Sequence, residues 1–459
     1  MILGTREFEK HVSGHKEQNT NARRYICRMM GVVCMAVITG ILLSSEVFAQ
    51  WKLPPPEKSD PVILGMMEGF PPPPDKTVTR EKLLRFPAQR WAFRHMREFL
   101  PTANVRRGND GVEPLPYVLK DLDSIVFETE KKQKISISDW QKMTYTDALL
   151  VLRDGKIVYE KYQIGMKPQE PHMLFSMTKS FTGVLATILI EEGKLDPDAL
   201  VSKYVPELKE TAWGDATVQQ TLDMTAGVKY REDYSDYNSE VAQHMIAAGM
   251  IVMPPNYNGP KTIYEFLKTL KKEGAHGAGF QYKTCHADVI GWVLSRVTGK
   301  SLAELLSERI WTKIGAEEDA FYIVDAVTTP AAGSTFNATL RDVGRFGEVM
   351  GRGGVAKGKR IFSQTVVDEI RKGADREKFK TSGMAPRYGY SYHNQWWIAH
   401  DRDGTFEGKG VHGQHIHINP AAKLVIVKLS SHPIGSTTYT HNLDRQAFAA
   451  LAEALRVRD

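Results

Sequence analysis

Ser176-Met177-Thr178-Lys179 sets a serine and a lysine three residues apart, on one face of any helix that carries them. A serine hydroxyl is a weak nucleophile until a neighbouring base takes its proton. A lysine withdrawn from water loses basicity toward neutrality and becomes such a base. A helix start beneath the pair adds free backbone N–H groups and positive potential. The spacing alone is weak evidence, because Ser13-Gly14-His15-Lys16 has it too. A helix-capping serine beside a surface lysine is the plainer alternative.

Two later features strengthen the chemical reading. Phe280-Gln281-Tyr282-Lys283-Thr284 places a Tyr-x-Thr ahead of a helix, with Tyr282 106 residues beyond Ser176. A tyrosine beside a lysine relays a proton, first as base and then as acid. Gly410-Val411-His412-Gly413-Gln414-His415 precedes a strand. Glycine there lets the backbone approach a substrate, and the N–H after it can join that of Ser176 in an oxyanion hole. Other signals fall away. His412, His415 and His417 have no Asp, Glu or Cys at ligand spacing, so no metal or other cofactor is expected. Gly353 to Lys359 imitates a phosphate loop, but Arg360 stands where Ser or Thr is required. Cys285 reads as a buried structural thiol.

These groups need elements to hold them. Ala148 to Leu152 and Ile157 to Tyr159 read as a hairpin about an Asp154-Gly155 turn. A helix begins near Ser176, with Phe181, Val184, Leu185, Ile188 and Leu189 along one face and Gly193 as its cap. Residues 195–325 are mostly helical, with segments 288–298 and 302–310 about a break at Gly299-Lys300. Strands return at 395–398, 416–418 and 424–427, and a helix closes the chain at 441–456. The order predicts a mixed α+β fold: a mainly antiparallel sheet flanked by helices, with a helical domain (about 195–325) inserted in it. The cleft between them is the expected ligand site.

The chain has 459 residues, 42% hydrophobic and 25% charged, which excludes a disordered chain and a multi-spanning membrane protein. Residues 1–49 have the layout of a secretory signal. Arg23, Arg24 and Arg28 precede an apolar run from Met29 to Leu43, and Val47-Phe48-Ala49 forms a cleavage site. The run is short for a bilayer span of about 20 residues, though an uncleaved anchor stays open. Cleavage removes six Lys/Arg and four Glu, lowering the formal charge from +6 to +4. That is weak for nucleic-acid binding. It also leaves Cys285 alone, so no disulfide forms within the chain. Export, with a periplasmic location and no stable membrane partner after cleavage, is the expectation. Residues 50–84 hold Pro54-Pro55-Pro56 and Pro71 to Pro74, which favour an extended strap or linker. The sequence leaves the oligomeric state open.

Together these elements resemble the penicillin-recognising serine hydrolases, the superfamily of class C β-lactamases, D,D-peptidases and family VIII esterases. The branch of 6-aminohexanoate-dimer hydrolases is nearer still. Trp91 to Ala103, Phe175 to Gly183, Leu222 to Val228, Glu232-Asp233-Tyr234, Asn337 to Asp342, Asn394-Gln395-Trp396-Trp397 and Val411-His412-Gly413-Gln414 carry the likeness, over roughly residues 85–455. It implies a β-lactamase/transpeptidase-like domain over 85–459 and an acyl-enzyme mechanism on a small amide or ester. Ser176 would be the nucleophile, with Lys179 and Tyr282 sharing acid and base roles. The Ser176 and His415 N–H groups would hold the oxyanion. Tyr234, Trp397, His412 and Gly413 would contact substrate. Two departures stand out: Thr284 replaces the asparagine of Tyr-x-Asn, and His412 replaces the lysine of Lys-Thr-Gly. They weigh against a β-lactamase or D,D-peptidase and favour an amidase or esterase. A catalytically silent binding protein on the same fold is the alternative from another class.

Overall fold

The computed structural model describes residues 53–456 apart from 235, 385, 386, 388, 437 and 439. The signal segment expected at 1–49 lies outside the described residues. Pro56 begins the second of the chain's two units, which holds nearly all of the described residues.

The second unit is built around a seven-stranded antiparallel sheet. The strands are β1 (Thr146–Arg153), β2 (Lys156–Tyr162), β3 (Ser391–His393), β4 (Trp396–Ile398), β5 (Phe406–Gly410), β6 (Gln414–Asn419) and β7 (Leu424–Ser430). They lie in the order β3-β4-β5-β6-β7-β1-β2. Asp154 and Gly155 both take positive φ, the backbone that a two-residue turn between twisted strands requires. Asn394 and Gln395 do the same between β3 and β4. The strand expected from 395 therefore starts one residue later, because Gln395 is spent on the turn.

Five helices matter for the site: α1 (Thr178–Glu191), α2 (Glu240–Ala247), α3 (Cys285–Thr298), α4 (Leu340–Gly351) and α5 (His441–Ala454). Alternation along β1 separates two cores. Leu150 and Leu152 join α1 and α4 in the main core, while Leu149 and Val151 meet Trp140 and Phe448 of the α5 side. The single apolar face expected of α1 needs correction. Every residue from Thr178 to Leu189 is buried, since the helix runs between the sheet and the helical region. Its polar members are bound locally: Ser180 Oγ donates to Gln395 O (3.2 Å) and Thr182 Oγ1 to Ala332 O (2.8 Å). Gly183 meets the β3–β4 turn so closely that a Cβ there would lie 2.0 Å from Asn394 O.

A second sheet was not foreseen. Thr102–Val105, Ala320–Ile323, Phe336–Ala338 and His172–Met173 pair antiparallel in that order. It delivers the chain to Ser176: Leu174 N donates to Phe336 O (2.9 Å), and Phe336 N to Thr178 Oγ1 (3.1 Å). The proline-rich stretch after Pro56 is clipped down rather than trailing. Arg90 Nη1 donates to Pro56 O (2.7 Å) and Ser59 Oγ (2.9 Å), and Val78 and Leu83 are buried. No helix among the described residues is long and apolar enough to cross a membrane.

Candidate active site

Ser176 sits in a 3-10 turn, Phe175–Met177, that runs straight into α1. The turn forces Phe175 to φ +47°, an uncommon backbone for a bulky residue. Packing holds it there: the Phe175 ring lies 4.8 Å from Phe93 and 5.2 Å from His412, centre to centre.

One turn on, Lys179 is 1% exposed. Its Nζ reaches Ser176 Oγ (2.9 Å), Thr284 Oγ1 (3.2 Å) and Gly333 O (2.7 Å). Burial pulls the amine down to about 8, against the opposing pull of the Glu232 and Asp288 carboxylates. The ammonium satisfies all three neighbours as a donor. The neutral amine keeps two donors, for Thr284 and Gly333, and turns its lone pair to Ser176.

Tyr282 stands over the same pair, with Lys179 Nζ 5.1 Å from its ring centre. Loss of water around its hydroxyl, reinforced by Glu232, raises its pKa above the ordinary phenol value; a hydrogen bond with Ser176 and the charge of Arg387 oppose this. The phenol thus keeps its proton across the neutral range while the lysine approaches neutrality. Environment thus sets the two groups apart, one suited to accept a proton and the other to give one.

Glu232 is the residue that sequence reading left without a role. Its carboxylate accepts from Thr284 N (2.9 Å), Thr284 Oγ1 (2.7 Å) and Tyr234 OH (2.7 Å). Thr284 thereby passes a hydrogen bond from Lys179 to Glu232, a link that the usual asparagine would not make in this form. Glu232 and Thr284 are 52 residues apart, so no spacing rule joins them. The only sequence signal was a carboxylate two residues before Tyr234 in a tyrosine-rich loop. Behind Lys179, Gly333 N donates to Asp288 Oδ1 (3.3 Å), and Asp288 Oδ2 lies 3.0 Å from His244 Nε2.

A cavity of about 480 Å³ opens on Ser176 and Thr284, with Tyr234 and His412 in its wall. Tyr234 is 51% exposed at its mouth. His412 Nδ1 bonds His432 O (2.7 Å), and burial lowers the imidazole to about 4, so it stays neutral.

Three expected site residues are placed elsewhere. His415 pairs with Lys409 on one side of β6 and Lys428 on the other, in mid-sheet. Its backbone belongs to that ladder, and its ring faces Phe448 of α5 at 4.8 Å. It does not reach the site. Trp397 is 4% exposed and stacks on Tyr282 at 5.4 Å and 18°, with the Arg387 guanidinium on Trp397 at 4.6 Å. It props the phenol and is not in the cavity wall. Gly413 takes φ +96° in the turn after β5, where a Cβ would press on Ser430 at 3.0 Å. It shapes the turn and does not line the cavity.

The lysine nearest the third motif also turns away. Lys409, 5% exposed in side chain, binds Glu407 Oε2 at 2.6 Å. The cavity wall at that strand end is Val411 and His412.

Known proteins resemble this chain over most of its length. Residues 135–451 match the sequence model of the Beta-lactamase family. The 6-aminohexanoate-dimer hydrolase of Paenarthrobacter ureafaciens is 37% identical over 371 residues, 80% of this chain and 92% of that protein. A solved structure from Bacillus anthracis, assigned as a 6-aminohexanoate-dimer hydrolase, superposes with TM-score 0.77 at 33% identity, covering 84% of this chain and 98% of the other. EstCE1, a hydrolase with promiscuous acyltransferase activity, shares the fold at TM-score 0.54 and 16% identity, over 68% of this chain and 98% of its own. The chain belongs to the Beta-lactamase family and is one of its serine hydrolases.

Proposed function

We propose that the protein cleaves linear amide or ester bonds through an acyl-enzyme on Ser176, in the manner of a 6-aminohexanoate-dimer hydrolase. The observation that carries this reading is Ser176 Oγ lying 2.9 Å from the buried Lys179 amine at a cavity wall. Neutral Lys179 takes the Ser176 proton as Oγ adds to the carbonyl. Tyr282 gives its proton to the leaving nitrogen or oxygen as the C–N or C–O bond breaks, and recovers one through Lys179. Water then adds to the acyl-enzyme by the reverse proton path. The oxyanion is held by the Ser176 N–H and, in place of His415, by the N–H of Val411 at the end of β5. The next N–H, of His412, already donates to Gly435 O (2.9 Å).

The β-lactamase or D,D-peptidase alternative lacks support from the third motif, since neutral His412 and engaged Lys409 offer no cation to a β-lactam carboxylate. A silent binding protein has no need of a desolvated lysine beside a serine. Residues 85–459 form the hydrolase domain in this reading. The segment 195–325 supplies Tyr234, Tyr282 and Thr284 to it, and the family match from 135 to 451 is consistent with that.

The direct test is intact mass after incubation with a p-nitrophenyl ester or a fluorophosphonate. One adduct, mapping to the Ser176 peptide, is expected; turnover with no adduct there would overturn the assignment. We also propose export to the periplasm from the layout of residues 1–49, and N-terminal sequencing of the cell-fractionated protein checks it, with Gln50 as the expected first residue.

The pH profile adds a second test. Lys179 must be neutral to act, so kcat/KM should rise with pH through an inflection near 8, the value to which burial lowers it. Glu232→Gln removes the anion that opposes this lowering. The limb should therefore move to lower pH, and an unmoved limb would deny Glu232 any electrostatic role.

A further inference from the structure

The short helix Gln89–Ala92 precedes residue 135, where the family match begins. Gln89, Arg90, Ala92 and the following Phe93 are nevertheless buried, and none of them lines the cavity that opens on Ser176. Three of these side chains each touch two stretches of the hydrolase domain. One stretch runs from His172 into Ser176; the other is His412 with Ser431 and His432, which lie beside it.

Phe93 is the first bridge. Its carbonyl accepts from Met173 N (2.9 Å), and its ring meets Phe175 at 4.8 Å and His412 at 5.2 Å, centre to centre. Gln89 is the second. Its Nε2 donates to Ser431 O (3.1 Å) and His432 O (2.9 Å) and passes 3.3 Å from His412 Nδ1. His432 is bound to His412 in both directions, since His432 N donates to His412 O (3.1 Å) and His412 Nδ1 to His432 O (2.7 Å). Arg90 repeats the pattern with charge. Its Nε donates to Ser431 Oγ (3.2 Å), and its Nη2 lies 3.5 Å from Asp147 Oδ1, while Asp147 Oδ2 lies 3.2 Å from His172 Nε2.

The residues so held flank the two N–H groups assigned to the oxyanion. Phe175 precedes Ser176, and His412 follows Val411. Both take positive φ, +47° and +64°, a backbone that a side chain of this size keeps only when its surroundings hold it. An oxyanion hole needs two donors about 2.7–3.1 Å from one point. The two donors here stand on different stretches, so their separation is set by whatever touches both.

We propose that this short helix clamps the oxyanion hole, with Gln89 and Phe93 as positioning residues that hold the Ser176 and Val411 N–H groups at the separation an oxyanion requires. This rests on the hydrolase reading above and on Val411 as the second donor. Neither positioning residue meets the substrate.

The test uses the complete chain with p-nitrophenyl hexanoate and its thiono counterpart, in which C=S replaces C=O. Sulfur is the weaker hydrogen-bond acceptor and stands farther from carbon, so the thiono ester draws less from the hole while asking the same of Ser176 and Lys179. The wild type should therefore prefer the carbonyl ester. Gln89→Leu and Phe93→Leu each keep the interior filled. Each should lower kcat/KM on the carbonyl ester roughly 10- to 100-fold, the scale of a small misplacement of catalytic groups. The thiono ester should lose much less, so the carbonyl preference falls. Ser59→Ala is the control: it removes a bond from Arg90 (2.9 Å) that loosens the chain before the helix without touching either stretch. Its thermal midpoint should drop while the carbonyl preference stays. Either leucine variant that keeps a cooperative thermal transition decides the matter. Equal losses on both esters, unchanged kinetics, or the same fall in preference in Ser59→Ala would overturn the clamp while turnover leaves the hydrolase reading standing. Wild-type turnover without a carbonyl preference would remove the oxyanion assignment, and the clamp with it. Absence of turnover and of any Ser176 adduct would remove the hydrolase reading itself.

Discussion

Lys179→Met should lower kcat/KM roughly 10²- to 10⁴-fold on both esters and amides, the range for loss of a positioned general base. Methionine fills a similar volume, so the comparison isolates the amine. Wild-type Lys179 is enclosed and makes three polar contacts through Nζ. Taking it away leaves Ser176 with no base at hydrogen-bond distance, because Tyr282 holds its own proton in the neutral range. Acylation suffers whatever the leaving group, so the loss should be similar for both substrate classes. The inflection near pH 8 should vanish with the residue that titrates there. Thermal stability should change little, since a desolvated amine is exchanged for an apolar chain at the cost of unpaired Thr284 Oγ1 and Gly333 O. A variant that folds, reacts at near wild-type rate and keeps the limb at 8 would show that Lys179 only shapes the site.

Local features were legible in the sequence, and features built from distant partners were not. The proximity of Ser176 and Lys179 needs one helical turn, so spacing reveals it. The β1–β2 hairpin needs one turn dipeptide, and Asp154-Gly155 announces it. The closing helix and the break at Gly299 are equally local; Gly299 caps α3 at φ +68°. The second sheet stayed hidden because it joins strands of two to four residues, too short for a periodic signal, brought together from positions 102 to 338. The bond of Glu232 to Thr284 depends on how the tyrosine-rich loop lies against α3. His415 was misplaced because counting along a motif ignores the ladder: a residue in mid-sheet has its backbone N–H committed to a neighbouring strand. The N–H proposed for the oxyanion, that of Val411, lies at the strand end, four residues earlier. Trp397 was misjudged for a related reason. An aromatic near a cleft reads as lining from sequence, while stacking on Tyr282 from behind requires the folded β4 edge.

Tyr282→Phe separates the acid from the base. It should cost roughly 10²- to 10⁴-fold on amides, as loss of a general acid does, and far less on p-nitrophenyl esters. An amine cannot leave as its anion, so C–N cleavage needs a proton delivered in the transition state. p-Nitrophenolate leaves without one. Phenylalanine keeps the ring stacked on Trp397 and the cation contact of Lys179, so the change is confined to one hydroxyl. That hydroxyl is suited to the acid role because burial and Glu232 keep it protonated above the pH at which Lys179 becomes neutral. The rival donor is Tyr234, whose hydroxyl bonds Glu232 Oε1 (2.7 Å) at the cavity mouth. Tied to a carboxylate that already accepts its proton, it is a poorer source for a leaving nitrogen. Selective loss of amide turnover in Tyr282→Phe and not in Tyr234→Phe would assign the proton to Tyr282. The reverse pattern would move the acid role to Tyr234 and leave Tyr282 as a hydrogen-bond partner that orients Ser176. Equal losses on both substrate classes in Tyr282→Phe would mean that it serves acylation itself, as part of the base.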